Sequence, residues 1–426
     1  MPLDEARIRA HALRPAQVRG VVSSRGLQDI ALAPLLGTDW LVDDDLYHFD
    51  VDTFRSELQT ALAGVSGYVV GLHRHGRPLL QLEVDWAKRP GNGDQAWSSS
   101  VKMHVASLSK LVTAIAVTRL LRDHGIDVDT PVSAFLPTTW SQGPHVAEIT
   151  FRHLLTHRSG FSTGGSGSDY ALMRQQVADG VSAVGGYDYE NLNFGLCRIL
   201  LATVSGAVPT SQVFTLAGTT AFNDVIWDLV TIEAYSTYVR DVVLTPAGVV
   251  GATLTHEPAH ALAYRQPLNQ AGWDSGDLTT MSGGAGWHLS VDDVLAVLGT
   301  LRRSGMILTL DEAQAMLDDS LGIDEIVSSR LGLTYRKDGR WTSSEGHTEQ
   351  SVLVVLPRDM ELVVFVNSPV GAPAMNLSRL VMRAYTAAVL SGRSVRGYFL
   401  RTDRPVTSSV RASAAPGYSV RQLLRS

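Results

Sequence analysis

Cysteine is almost missing from this 426-residue chain, which carries only Cys197. A single thiol excludes an internal disulfide framework and fits a reducing compartment. It lies in the apolar stretch FGLCRILLATVSG, where a buried, inert position is expected. Lysine is nearly missing too, with four residues beside 32 arginines. Codon usage in a GC-rich genome produces such a bias, so no surface chemistry follows from it. There is no excess of positive charge: the net charge of -6 argues against a nucleic-acid binder, which needs a basic surface. No apolar run approaches the ~18 residues of a membrane span. The opening stretch MPLDEARIRAHALRPAQVRG lacks the apolar segment of a signal peptide. The expectation is a cytoplasmic protein without a nucleic-acid or membrane partner, its oligomeric state open.

What is present is an ordinary globular balance, with 45% hydrophobic, 18% charged and 7% aromatic residues, enough to bury a large core. Charge is uneven: from Arg393 to the end there are seven arginines and one aspartate. That stretch, 393–426, reads as a basic tail, either a solvated strap or an arm for an acidic partner. Residues 1–47 lack periodicity and read as an extension. DTFRSELQTALAG spaces Phe54, Leu58 and Leu62 four apart, which predicts an amphipathic helix closed by Gly64. GYVVGLHRHGRPLLQLEVD reads as a hairpin, and Leu108 to Leu121 as a long buried helix. An insert over 207–232 separates two further helical stretches. Near the end, QSVLVVLP and MELVVFVNS read as strands joined at Pro357-Arg358-Asp359, and NLSRLVMRAYTAAVL as a closing helix. Strands at both ends with helices between predict an α/β (α+β) fold. Its antiparallel sheet is built from both ends of the chain (48–130 and 285–392), with a mostly helical lobe, 131–284, inserted.

Three local features could carry chemistry. The first is Ser107-Leu108-Ser109-Lys110. Residues three apart share a helix face, so Ser107 and Lys110 meet while Ser109 points elsewhere. A serine hydroxyl needs a base, and a desolvated lysine can serve where an arginine cannot deprotonate. The bland alternative is that Ser-x-x-Lys recurs by chance. The second is Tyr189-Glu190-Asn191, which could relay a proton and grip a carbonyl, or could simply cap the next helix. The third is His347-Thr348-Glu349, a donor group at a strand edge or merely a strand end. Gly160-Phe161-Ser162-Thr163-Gly164 imitates a nucleophile elbow, but a helix precedes it where a strand is needed. The pairs His73/His75 and His153/His157 lack a convincing third ligand, so no metal and no cofactor are expected.

Taken in order, the three features resemble the serine β-lactamase-like superfamily of penicillin-binding proteins, class C β-lactamases, esterases, D-aminopeptidases and acyltransferases. The similarity extends over roughly 50–392 and includes VASLSKLVTA, ITFRHLLTHRSGF, YDYENLNFGL and SGGAGWHLSVDDVLAVL. It implies a β-lactamase/transpeptidase-like fold with Ser107 as acylated nucleophile and Lys110 as its activating partner. Tyr189 would exchange the proton and Asn191 would hold the acyl side chain. His347 would fill the third motif's Lys/His place, with Thr348 and Glu349 facing substrate. The oxyanion hole would be the N–H groups of Ser107 and Gln350. The motif usually ends in glycine, and Glu349 in that place argues against compact acids and for a neutral or amine-bearing substrate. The implied activity is hydrolysis of an ester or amide. Alternatives are acyl transfer to an amine or alcohol in natural-product biosynthesis, and a non-catalytic binding protein.

Overall fold

The computed structural model describes residues 49–391 apart from 164–166, 217, 330–331 and 372–375. The N-terminal extension and the Arg-rich tail lie outside the described residues. Helix α1 (Val51–Ala61) begins where the Asp50 side chain accepts from the N–H groups of Asp52 and Thr53. It buries Phe54 and Leu58, as the four-residue spacing predicts. The hairpin β1 (Gly67–Arg74) and β2 (Arg77–Lys88) follows. Then come two short strands, β3 (Gln95–Ala96) and β4 (Met103–His104), and helix α2 (Ser109–His124). Gly125, at φ +63, ends α2 in the left-handed conformation that glycine adopts without cost.

The middle of the chain supplies helices α3 (Phe151–Leu155), α4 (Tyr170–Asp179), α5 (Asn191–Val204) and α6 (Asn223–Val239). Helix α6 takes in the end of the insert expected over 207–232, from Asn223 on, and buries Ile226, Trp227 and Leu229. Strand β5 (His288–Leu289) pairs with β4. Helix α7 (Val291–Arg303) starts in a capping box of Ser290 and Asp293, and α8 (Leu310–Asp318) follows. The chain closes with β6 (Glu325–Ser329), β7 (Gly332–Thr342), β8 (Thr348–Leu356), β9 (Met360–Val366) and α9 (Leu377–Ser391).

The sheet order is β3-β2-β1-β9-β8-β7-β6, so strands from the two ends of the chain meet at β1 and β9, antiparallel. Alternation sorts β8 onto two faces. Val352 and Val354 pack with Phe54, Leu58, Leu380 and Val381 of α1 and α9, while Leu353 and Val355 join α2, α5 and α7. Each such buried side chain contributes about 1.5–3 kcal/mol, and β8 is buried along its whole length. Strand β6 pairs only as far as Glu325 with Arg336. Beyond that point the outer edge of β7 has no strand beside it among the described residues.

Candidate active site

Between β4 and α2 the chain makes a single tight turn, Ala106–Leu108, that carries Ser107. Ala106 sits at φ +50, a left-handed conformation unusual for alanine and of the strained kind that accumulates at functional sites. Ser109 heads α2, and its Oγ accepts from the Trp287 N–H at 3.2 Å, so this serine is occupied by packing. Lys110 is completely buried. Its Nζ lies 3.1 Å from Ser107 Oγ, 2.7 Å from Asn191 Oδ1 and 2.8 Å from the Gly284 carbonyl. Burial pushes the Lys110 pKa far down, and the nearby Lys337 charge pushes it further. A neutral amine has two N–H donors and a lone pair. Two bonds go to Asn191 and Gly284, which leaves the lone pair for the Ser107 proton.

Tyr189 hydrogen-bonds Ser107, and its pKa is raised by burial and by Asp324, so the phenol holds its proton. Lys110 Nζ lies 4.9 Å from the centre of that ring. Beneath it, His157 stacks on Tyr189 with centroids 4.2 Å apart. Glu190 and Asn193 donate to His157 Nδ1, and burial drives its pKa well below the ordinary value. His157 is thus a neutral support for Tyr189. His153 closes the cap of α3 instead, its Nδ1 accepting from the Thr150 N–H, so the two histidines do not converge. Asn191 is buried and its Oδ1 accepts from the Lys110 amine, so it also touches the candidate base.

The third motif is not where the sequence placed it. His347 precedes β8 and bonds Ser343 Oγ and the Ala271 carbonyl. None of its described contacts is with Ser107, Lys110 or Tyr189. Thr348 is buried and donates to the Gly346 carbonyl. Glu349 is 1% exposed and turned onto His104, Oε2 to Nδ1 2.8 Å. It therefore neither crowds nor repels a substrate at Ser107. Gln350 lies in an interior strand, opposite Arg340 on β7 and Val366 on β9, with its side chain bonded to the Ser368 carbonyl. A backbone enclosed on both sides is not free to meet an oxyanion.

One strand over, β7 carries Lys337-Asp338-Gly339, a lysine with glycine two residues on. Lys337 is 1% exposed, pairs with Asp324 at 2.6 Å and has Nζ 5.7 Å from the Tyr189 ring centre. Gly339 lies directly against the nucleophile turn. A Cβ there would stand 2.3 Å from the Val105 carbonyl and 3.1 Å from the Leu108 nitrogen. Arg336 O accepts from Asp324 N, and Asp338 N donates to the Asp324 carboxylate. Alternate residues of a strand turn their backbone groups the same way. The Arg340 N–H accordingly points to the open edge as well. The signal that could have found this motif was the rarity of lysine.

Ser162 is exposed, and Thr163 beside it is held by both oxygens of Glu190 at 2.7 and 2.6 Å. Cys197 is free and completely buried, its pKa raised by burial. Among the described residues no helix is long and apolar enough to cross a membrane.

Comparison with known proteins bears on the family and the fold. The chain is 30% identical to Esterase EstB of Burkholderia gladioli over 159 residues, 35% of this chain and 38% of that one. It is 28% identical to the Esterase/beta-lactamase LipL of Mycobacterium tuberculosis over 137 residues, 30% and 31% of the two chains. The chain thus spans little more than a third of these relatives at most. In three dimensions it is similar to the octameric penicillin-binding protein homologue from Pyrococcus abyssi. There the TM-score is 0.59 at 17% identity, covering 80% of this chain and 77% of that one. The Beta-lactamase family model matches residues 54–386, and the chain belongs to that family.

Proposed function

We propose that the protein is a serine hydrolase that forms an acyl-enzyme at Ser107 from an ester or amide. The observation that carries this reading is the fully buried Lys110 amine 3.1 Å from the Ser107 hydroxyl, its pKa pushed far down by burial. Ser107 Oγ attacks the carbonyl carbon as its proton passes to Lys110 Nζ. Negative charge gathers on the carbonyl oxygen, where the N–H groups of Ser107 and Arg340 stabilise it. As the C–O or C–N bond breaks, Tyr189 hands its proton to the leaving alcohol or amine and regains one from Lys110. Water then attacks the acyl-enzyme by the reverse proton path, releasing the acid and restoring Ser107. Lys337 supplies fixed positive charge beside Lys110 and Tyr189. Similarity to two esterases supports the ester arm, and the single buried thiol suits a cytoplasmic setting.

The binding-protein reading rested on Glu349, and that carboxylate faces His104 rather than Ser107. The penalty expected on acidic substrates rested on it too. Transfer to an amine or alcohol uses the same acyl-enzyme and differs only in the second nucleophile. The test is intact-mass measurement after a fluorophosphonate or a p-nitrophenyl ester. One adduct on Ser107 is expected, with turnover lost by about 10³-fold or more in Ser107→Ala. An adduct on Ser162, or full turnover by Ser107→Ala, overturns the proposal. Amines or alcohols added during turnover show whether an acylated acceptor replaces the free acid.

A further inference from the structure

Beside the Ser107 site, three histidines from two distant stretches come together: His256 and His260 on one loop, and His288 on β5. One side-chain nitrogen from each lies within 4.8 Å of the others. Ring centroids are 5.5 Å apart for His256 and His260, 6.0 Å for His256 and His288, and 4.8 Å for His260 and His288. His288 is fully buried and His260 is 4% exposed, while His256 is half-buried at the surface end.

The nitrogens can be accounted for one by one. His288 Nδ1–H donates to the Gly286 carbonyl at 3.1 Å. Its Nε2 lone pair is left turned inward with only Ser275 Oγ, at 3.4 Å, near it. An imidazole whose Nδ1–H is held by a carbonyl is oriented as metal-bound histidines are. His256 Nδ1 is a buried atom with no hydrogen-bond partner. His260 Nδ1 accepts from the Glu257 N–H at 3.0 Å, so its own proton sits on Nε2. Coordination through Nε2 shifts that proton to Nδ1 and ends the Glu257 bond, with no net proton released. Burial, His104 and the other two rings depress the pKa of His288, burial and His256 push His260 down to about 4, and burial lowers His256. All three are therefore neutral, the state in which imidazole is a ligand.

We propose that His256, His260 and His288 form a binding site for one late first-row divalent cation of the zinc and cobalt class, with water completing four-coordination. Three neutral nitrogens suit Zn²⁺, Co²⁺, Ni²⁺ or Cu²⁺ and not Mg²⁺ or Ca²⁺, which take oxygen. Tetrahedral zinc at about 2.0–2.1 Å from each nitrogen sets the nitrogens about 3.4 Å apart, so the loop closes by about 1 Å on loading. The cation would clamp the 256–260 loop to β5. The same segment passes the Gly286 carbonyl to His288 and the Gly284 carbonyl to Lys110, so the clamp stands behind the base.

The test is titration of the full chain, stripped of metal, with Co²⁺. The expected result is about one equivalent bound, with the visible d–d absorption of a four-coordinate nitrogen site, displaced by Zn²⁺. Zn²⁺ should also raise the Tm by about 2–4 °C at 100 times the Kd. His256→Ala, at the surface end, should fold and lose affinity at least tenfold, and His260→Ala likewise. His75→Ala, on the β1–β2 turn, should bind as the parent does. Absence of stoichiometric Co²⁺ binding by the parent chain overturns the proposal. So does unchanged affinity in both His256→Ala and His260→Ala.

Discussion

Two lysines were retained at positions where arginine would fail, for opposite reasons. In the proposed mechanism Lys110 must lose a proton, and Lys337 must fit a compact ammonium between Asp324 and the Tyr189 ring. Lys110 was legible because its chemistry needs only a three-residue spacing on a helix. Lys337 was not, because RKDGR reads as a charged turn and nothing local shows that it lies beside Ser107. His347 misled because a histidine at a strand start satisfies the pattern without the geometry. Lys337→Ala should lower kcat/KM by about 10²-fold or more, as loss of an electrostatic group in a closed site does. His347→Ala should stay within tenfold, and ester turnover by the two variants distinguishes them. The acid limb of the pH profile belongs to Lys110. Its native pKa lies far below the usual lysine value, so kcat/KM should fall as pH drops through that depressed value and the amine charges. Lys110→Arg, which cannot deprotonate, should have no active limb at any pH.

At the scale of elements, the hairpin β1–β2, the strands β8 and β9 and the helices α1, α2, α5 and α9 were all readable from periodicity. Strand β7 was not. Its inward residues Tyr335, Lys337, Gly339 and Trp341 alternate with Arg336, Asp338 and Arg340, a pattern in which only two of four core-side positions are apolar. That is the cost of making a strand part of the candidate site. Gly339 shows how closely the two are fitted. In Gly339→Ala the new methyl would meet Ser351 Oγ and the Val105 carbonyl, both at 2.3 Å. Overpacking of this kind costs about 1–3 kcal/mol. Because the clash displaces the turn carrying Ser107, kcat should fall by about 10²-fold. Urea unfolding midpoints and turnover by the same variant check both parts.

For the whole molecule, joining both chain ends into one sheet was legible, because the strands flank a helical middle. The site was only half legible, since its residues come from α2, the approach to α5 and β7, over 200 residues apart in sequence. Holding an uncharged lysine inside the fold has a thermodynamic signature. The unfolded chain holds a proton at Lys110 up to about pH 10.5 and the native chain loses it at a lower pH, because burial depresses the pKa, so stability rises with pH between the two. Below pH 6.5 His157 acts in the same sense, but Asp338, pushed up to about 6, and Glu349 act in the opposite one. Above about pH 8.5 the unfolded Cys197 thiol ionises while the buried native one keeps its proton, which acts against Lys110, so the clean interval is about pH 7–8. There the Tm should climb with pH for the parent chain and flatten in Lys110→Met, as thermal melts across a buffer series would show.

The stretch of β7 past Arg336 has one more consequence. An unpaired strand edge accepts any extended chain, whether a substrate or the edge of a neighbouring copy. Proteins generally shield such edges, and here shielding would cover the strand beside Ser107. A charged side chain hinders strand-to-strand pairing at an edge, and the exposed Arg340 does so here while leaving the edge open to small molecules. Solubility in concentrated solution and access to the nucleophile are thus governed by the same few residues.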